Sequence, residues 1–101
     1  MQGLADMEGT RNTTITIGAT AVEVSPMRSR RVLYIKNTSV GGQIISISLS
    51  NTETATAGQG IVLDPKDIFI DSNSEEYICW QGAISAIADG AGGTIAVYER
   101  N

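Results

Sequence analysis

From Thr13 onward the chain alternates polar and apolar residues with a period of two, the repeat of a strand with one buried face. Thr13-Thr14-Ile15-Thr16-Ile17 predicts a first strand. Gly18-Ala19 turns into a second, Thr20-Ala21-Val22-Glu23-Val24, which Ser25-Pro26 ends. Arg31 to Asn37 predicts a third, with Leu33 and Ile35 on one face and Val32, Tyr34 and Lys36 on the other. After the turn residues Asn37 to Gly42, Ile45, Ile47 and Leu49 alternate with Ser46, Ser48 and Ser50. The serine face of that strand should be solvated or lie against another polar surface.

The polar run Asn51 to Gly60 (NTETATAGQG) is longer than a hairpin needs, and loops of this kind carry function or move. Gly60 to Leu63 predicts a strand, cut by Asp64-Pro65-Lys66-Asp67 as a type I turn with Pro second. Ile68-Phe69-Ile70 is a brief strand and Asp71 to Glu76 an acidic turn. Tyr77 to Trp80, Ala83 to Ala88 and Thr94 to Glu99 make the last strands, and Gly90 to Gly93 closes the final hairpin. The Ala-rich stretch Ile84 to Ala91 is too short for a helix and is ended by glycines. The pattern therefore predicts an all-β fold, a small antiparallel β-sandwich or jelly-roll-like barrel of about eight short strands.

Residues Met1 to Asn12 show no period and read as an extended N-terminal arm, leaving 13–101 as a single β-sandwich domain. Twelve extended residues reach roughly 40 Å, whereas a domain of this size has a radius of gyration near about 13 Å. Such an arm is long enough to cross its own domain and lie on a neighbour.

Composition agrees: 13 Ile, 6 Val and 10 Thr stand against 4 Leu, a bias toward side chains branched at Cβ that suit a pleated sheet. A length of 101 residues fits one domain. No apolar run approaches the length of a membrane span, and no basic-then-apolar leader opens the chain, so neither a membrane role nor export is expected. With a formal charge of −4 and no flanking aromatic platform, nucleic acid is a disfavoured partner. The single Cys cannot form an internal disulfide, and the absence of His removes the ordinary catalytic triads and Cys/His zinc sites.

Arg28, Arg30 and Arg31 form the one basic cluster, suited to a phosphate or an acidic partner surface, or else a solvated lead-in to a strand. Asp71 to Glu76 begins like a calcium loop. It has Glu76 where the loop needs Gly and Gly82 where it needs Glu, so an acidic hairpin tip is the better reading. Asp64 and Asp67 flank a Pro turn, where Asp serves local hydrogen bonds. Cys79 reads as a buried small hydrophobe, and Trp80 as core or interface. No catalytic set, metal site or cofactor site is expected. The candidate partner contacts are Met1, Leu4, Met7 and Arg11 of the arm, with Arg28, Arg30 and Arg31.

Five landmarks then fall in a familiar order. They are Arg31 to Asn37 followed by a Ser/Gly turn; Ile45-Ser46-Ile47-Ser48; Gly58 to Pro65; Trp80-Gln81-Gly82-Ala83-Ile84; and Thr94 to Glu99. This order resembles the small β-sandwich head decoration (cement) proteins of tailed bacteriophages and related head-fibre bases. Where such families carry Gly just after the Pro turn, this chain has Lys66-Asp67. The resemblance implies a non-enzymatic virion protein, made in the bacterial cytoplasm, that binds the major capsid protein on the outside of the head. There it would act as a homo-oligomer, with a trimer favoured, and hold the shell against internal DNA pressure. Alternatives are a receptor- or glycan-binding domain of a fibre or tail, or a neck or tail ring protein.

Overall fold

The structure, a computed structural model, describes residues 10–101. Eight strands follow in order: β1 Thr10–Ile17, β2 Val22–Ser25, β3 Val32–Asn37, β4 Ile45–Leu49, β5 Ile61–Leu63, β6 Ile68–Ser72, β7 Ile84–Ala88 and β8 Gly93–Arg100. They form two four-stranded antiparallel sheets, β1-β8-β3-β6 and β2-β7-β4-β5. First pairs with last, second with seventh, third with sixth and fourth with fifth. That is the jelly-roll pattern, a long hairpin rolled into two facing sheets.

Each sheet turns one face inward. Ile17, Leu33, Ile35, Ile95 and Val97 of the first sheet meet Ile45, Ile47, Ile84, Ala86 and Leu63 of the second, all buried. The alternation along β3 puts Leu33, Ile35 and Asn37 inside. Buried Asn37 is fully bonded: its Nδ2 donates to the carbonyls of Gln43 and Leu63, and its Oδ1 accepts from Ser39 N. A polar group can sit in the core only when partnered in this way.

The serine face of β4 lies beneath the long loop rather than in water. Gly58 N donates to Ser46 Oγ at 2.8 Å, Ala55 N to Ser85 Oγ at 2.8 Å, and Ser48 Oγ to the Glu53 carbonyl at 3.2 Å. Ala55 is buried by this contact. Residues 51–60 are thus a lid on the second sheet, held by hydroxyls that serve as its backbone partners.

Several expectations are corrected. The first strand starts at Thr10, because Thr10, Arg11 and Asn12 pair with Arg100, Glu99 and Tyr98; the domain boundary moves accordingly and residues 1–9 lie outside the described residues. Tyr77 to Trp80 is not a strand: Asn73 Oδ1 takes the Cys79 N–H and Asp71 Oδ2 takes the Trp80 N–H, so side chains replace the ladder. Asp71 and Ser72 belong to β6, with Asp71 turned inward, and the tip closes on a Ser74–Tyr77 bridge. The Asp64–Asp67 turn has Lys66 at φ 77°, which makes it type II rather than type I. Lys66 occupies the left-handed conformation that glycine adopts without strain.

Candidate functional site

The arginines converge on one buried carboxylate. Along β8, Ile95, Val97 and Glu99 alternate inward, so strand parity carries a carboxylate into the core layer, where Glu99 is fully buried. Arg11, directly across the ladder from Glu99, points the same way. On β2 a bulge after Glu23 inserts one residue, so Val24 and Ser25 are both buried and Ser25 reaches Glu99. Bulges commonly re-aim a side chain in this manner.

Arg30 Nε donates to Glu99 Oε2 at 2.5 Å and Ser25 Oγ donates to the same oxygen at 2.8 Å. Arg11 Nη1 donates to Oε1 at 3.0 Å, and Arg28 Nη1 lies 3.5 Å from it. Arg30 is itself only 2% exposed. Its remaining donors reach the carbonyls of Trp80, Gly82 and Pro26 and the Ser25 hydroxyl at 2.9–3.0 Å, so the guanidinium is fully used. Burial pushes the Glu99 carboxyl up, but hydrogen bonds from Arg30, Arg11 and Ser25, with the Arg30 charge, outweigh it and hold Glu99 below its ordinary range.

This arrangement sorts the expected partner contacts. Met1, Leu4 and Met7 fall outside the described residues. Arg30 has nothing left to offer a partner, and Arg11 and Arg28 are half-buried and committed to Glu99. Arg31 alone of the four is exposed and forms no ion pair among the described residues. Glu99 was not among the expected residues; its signal was a carboxylate in phase with Ile95 and Val97, which a buried strand face tolerates only beside a cation.

Next to this cluster opens an apolar cleft of about 470 Å³, with Met27, Leu49, Tyr77, Ile78 and Trp80 in its lining. Tyr77 is 51% exposed, and a hydrogen bond to Asp71 pushes its phenol up. Trp80 is half-buried, its Nε1 donating to the Ala83 carbonyl at 2.9 Å. Cys79 lies buried beneath, where burial first and then the Asp71 charge push the thiol up, against the nearby Arg30. Among the described residues no group of three His, Cys, Asp or Glu side chains is placed to hold a metal ion.

A second exposed surface is the outer face of the β1-β8-β3-β6 sheet. Register places Asn12, Tyr98, Tyr34 and Ile70 in one row across its four strands, and Thr14, Ala96, Lys36 and Ile68 in the next. Ile68 and Ile70 are exposed, and Tyr34 and Tyr98 half-buried.

No protein-family model matches the chain, and no curated protein matches it significantly. Among solved structures it is similar to PirA, with 14% identity over 92% of this chain and 94% of the other at a TM-score of 0.47. A de novo designed double-stranded β-helix covers 90% of this chain and 95% of its own at 14% identity and TM-score 0.42. A Bacillus endospore appendage protein, of a family of disulfide-linked pili, covers 90% and 84% at 17% identity and TM-score 0.47. At these scores the likenesses bear no weight on fold or function; the fold is defined by the strand pairing itself.

Proposed function

We propose that this protein is a non-enzymatic structural component of a bacteriophage virion, seated on the outer surface of the head. The supporting observation is that large apolar side chains, Met27, Ile68, Ile70, Tyr77 and Ile78 among them, stand exposed on a rigid two-sheet scaffold. Exposed apolar patches on a soluble domain mark contact surfaces. Contacts that are weak singly gain avidity when a homo-oligomer engages several sites of the shell at once. The test adds the purified chain to heads of the encoding phage that lack it. Saturable co-sedimentation and a rise in the temperature at which heads release DNA are expected. Failure to bind such heads overturns the reading.

A second reading, glycan recognition by a fibre or tail domain, is favoured by one observation: Tyr77 and Trp80 line the same cleft beside Asn51 and Asp71. Aromatic faces with adjacent amide and carboxylate groups suit a sugar ring. Chemical-shift changes at Trp80 Nε1–H on titration with host surface polysaccharide would support it.

A further inference from the structure

We infer that the outer face of the β1-β8-β3-β6 sheet is the docking face, and that its partner is an apolar protein surface bearing carboxylates on the head exterior. This rests on the decoration reading. The outward positions of the four strands carry Val32, Tyr34, Ile68, Ile70, Ala96 and Tyr98, a contiguous apolar field across paired strands. Native sheets that face water on one side ordinarily present polar residues there. Here the β1 column, with Asn12, Thr14 and Thr16, follows that rule throughout, whereas the other three strands set their polar residues Lys36, Ser72, Thr94 and Arg100 around the apolar field.

Charge identifies the occupant. The charged side chains on this face are Lys36 and Arg100, both basic, and neither forms an ion pair among the described residues. Among the described residues the exposed carboxylates lie elsewhere, in β2 and in the loops and turns. Among the described residues, an acidic protein of net charge −4 thus keeps one apolar face free of acid. A twofold contact of this face with a second copy would set the basic residues of one molecule against those of the other, since the same patch is used on both sides. An acidic partner surface removes that repulsion.

Size fits a lattice contact. Four strands spaced about 4.8 Å apart and some five residues at about 3.3 Å each define a face of roughly 300 Å². A stable pairwise complex buries about 800 Å² per partner. A contact of less than half that area is weak for a lone copy and holds when copies joined in a homo-oligomer engage the shell together.

The experiment measures occupancy of chain-free heads by wild type, Ile70→Glu, Lys36→Glu and the control Val62→Glu, whose exposed side chain lies on the other sheet. Trp80 fluorescence confirms that each variant is folded. Ile70→Glu and Lys36→Glu are expected to weaken binding about tenfold or more, Val62→Glu less than twofold, and higher salt is expected to weaken the wild type. Occupancy of both face variants within twofold of a binding wild type overturns the docking face and leaves the decoration reading standing. A wild type that binds no heads overturns both. Sedimentation showing that Ile70→Glu dissociates a self-associated species while head occupancy is unchanged also overturns the inference, assigning the face to a second copy.

Discussion

Replacing Glu99 by Gln preserves shape and removes the charge that faces three arginines. Arg30, at 2% exposure, is left without a counter-charge, although it keeps its bonds to the carbonyls of Trp80, Gly82 and Pro26. Breaking a buried pair from one side costs about 3–5 kcal/mol. The surviving carbonyl bonds place this case near the lower end, about 3 kcal/mol. A domain of this size is stable by about 5–15 kcal/mol, so the variant folds but is weakened. The corresponding fall in melting temperature is roughly 12–24 °C.

Urea unfolding read by Trp80, the sole tryptophan and packed against the core, measures the difference. The pH dependence supplies a second check. The folded-state pKa of Glu99 is lowered, so its contribution is fully present above the unfolded value of about 4.3 and is lost as pH falls through the folded value. The gap between wild type and Glu99→Gln is therefore expected to be constant from neutral pH to about 5 and to close below about 4.3. A gap under about 1 kcal/mol at pH 7, or one that persists unchanged in strong acid, refutes the role given to Glu99.

Three further outcomes are expected, each measured by urea unfolding. Lys66→Gly, at φ 77°, relieves left-handed strain against the greater entropy of an unfolded glycine, for a net gain of up to about 1 kcal/mol. Asn37→Ala strips the carbonyls of Gln43 and Leu63 and the Ser39 N–H of their buried partner and costs about 3 kcal/mol. Gly60→Ala combines φ 79° with a Cβ placed 2.7 Å from the Ile47 carbonyl oxygen, and should cost about 2 kcal/mol or more.

Much of the architecture was legible because burial on one face of a strand writes itself as parity. Ile45, Ile47 and Leu49, and Leu33 with Ile35, carry their own register, and Gly90 to Gly93 marks the hairpin before β8. Parity fails where side chains take over backbone partners. Gln81 Oε1 accepts from Arg30 N while its Nε2 donates to the carbonyls of Arg30 and Cys79, so an amide side chain stands in for a neighbouring strand. Nothing in Tyr77 to Trp80 announces that substitution, and its apolar content imitates a strand. The arginine cluster misled for a related reason. Proximity of Arg28, Arg30 and Arg31 in sequence suggests a common surface, but successive residues at a strand approach point in opposite directions, leaving Arg31 outside and Arg30 within.

The Glu99 cluster also changes how the surface charge should be counted. Three arginines against one glutamate carry +2, so the rest of the chain carries −6 rather than the formal −4. Outside the cluster the basic residues are Arg31, Lys36, Lys66 and Arg100, two of which stand on the outer face of the β1-β8-β3-β6 sheet. The described residues are therefore electrically polarised: acid in β2 and in the loops and turns, base on one apolar sheet face. Near an acidic surface such a distribution turns that face toward contact and the acid toward water. Like-charged flanks of neighbouring copies then repel one another weakly over about a Debye length of 8–10 Å. While the molecule is free in solution, the same acidic flanks resist aggregation through the apolar faces.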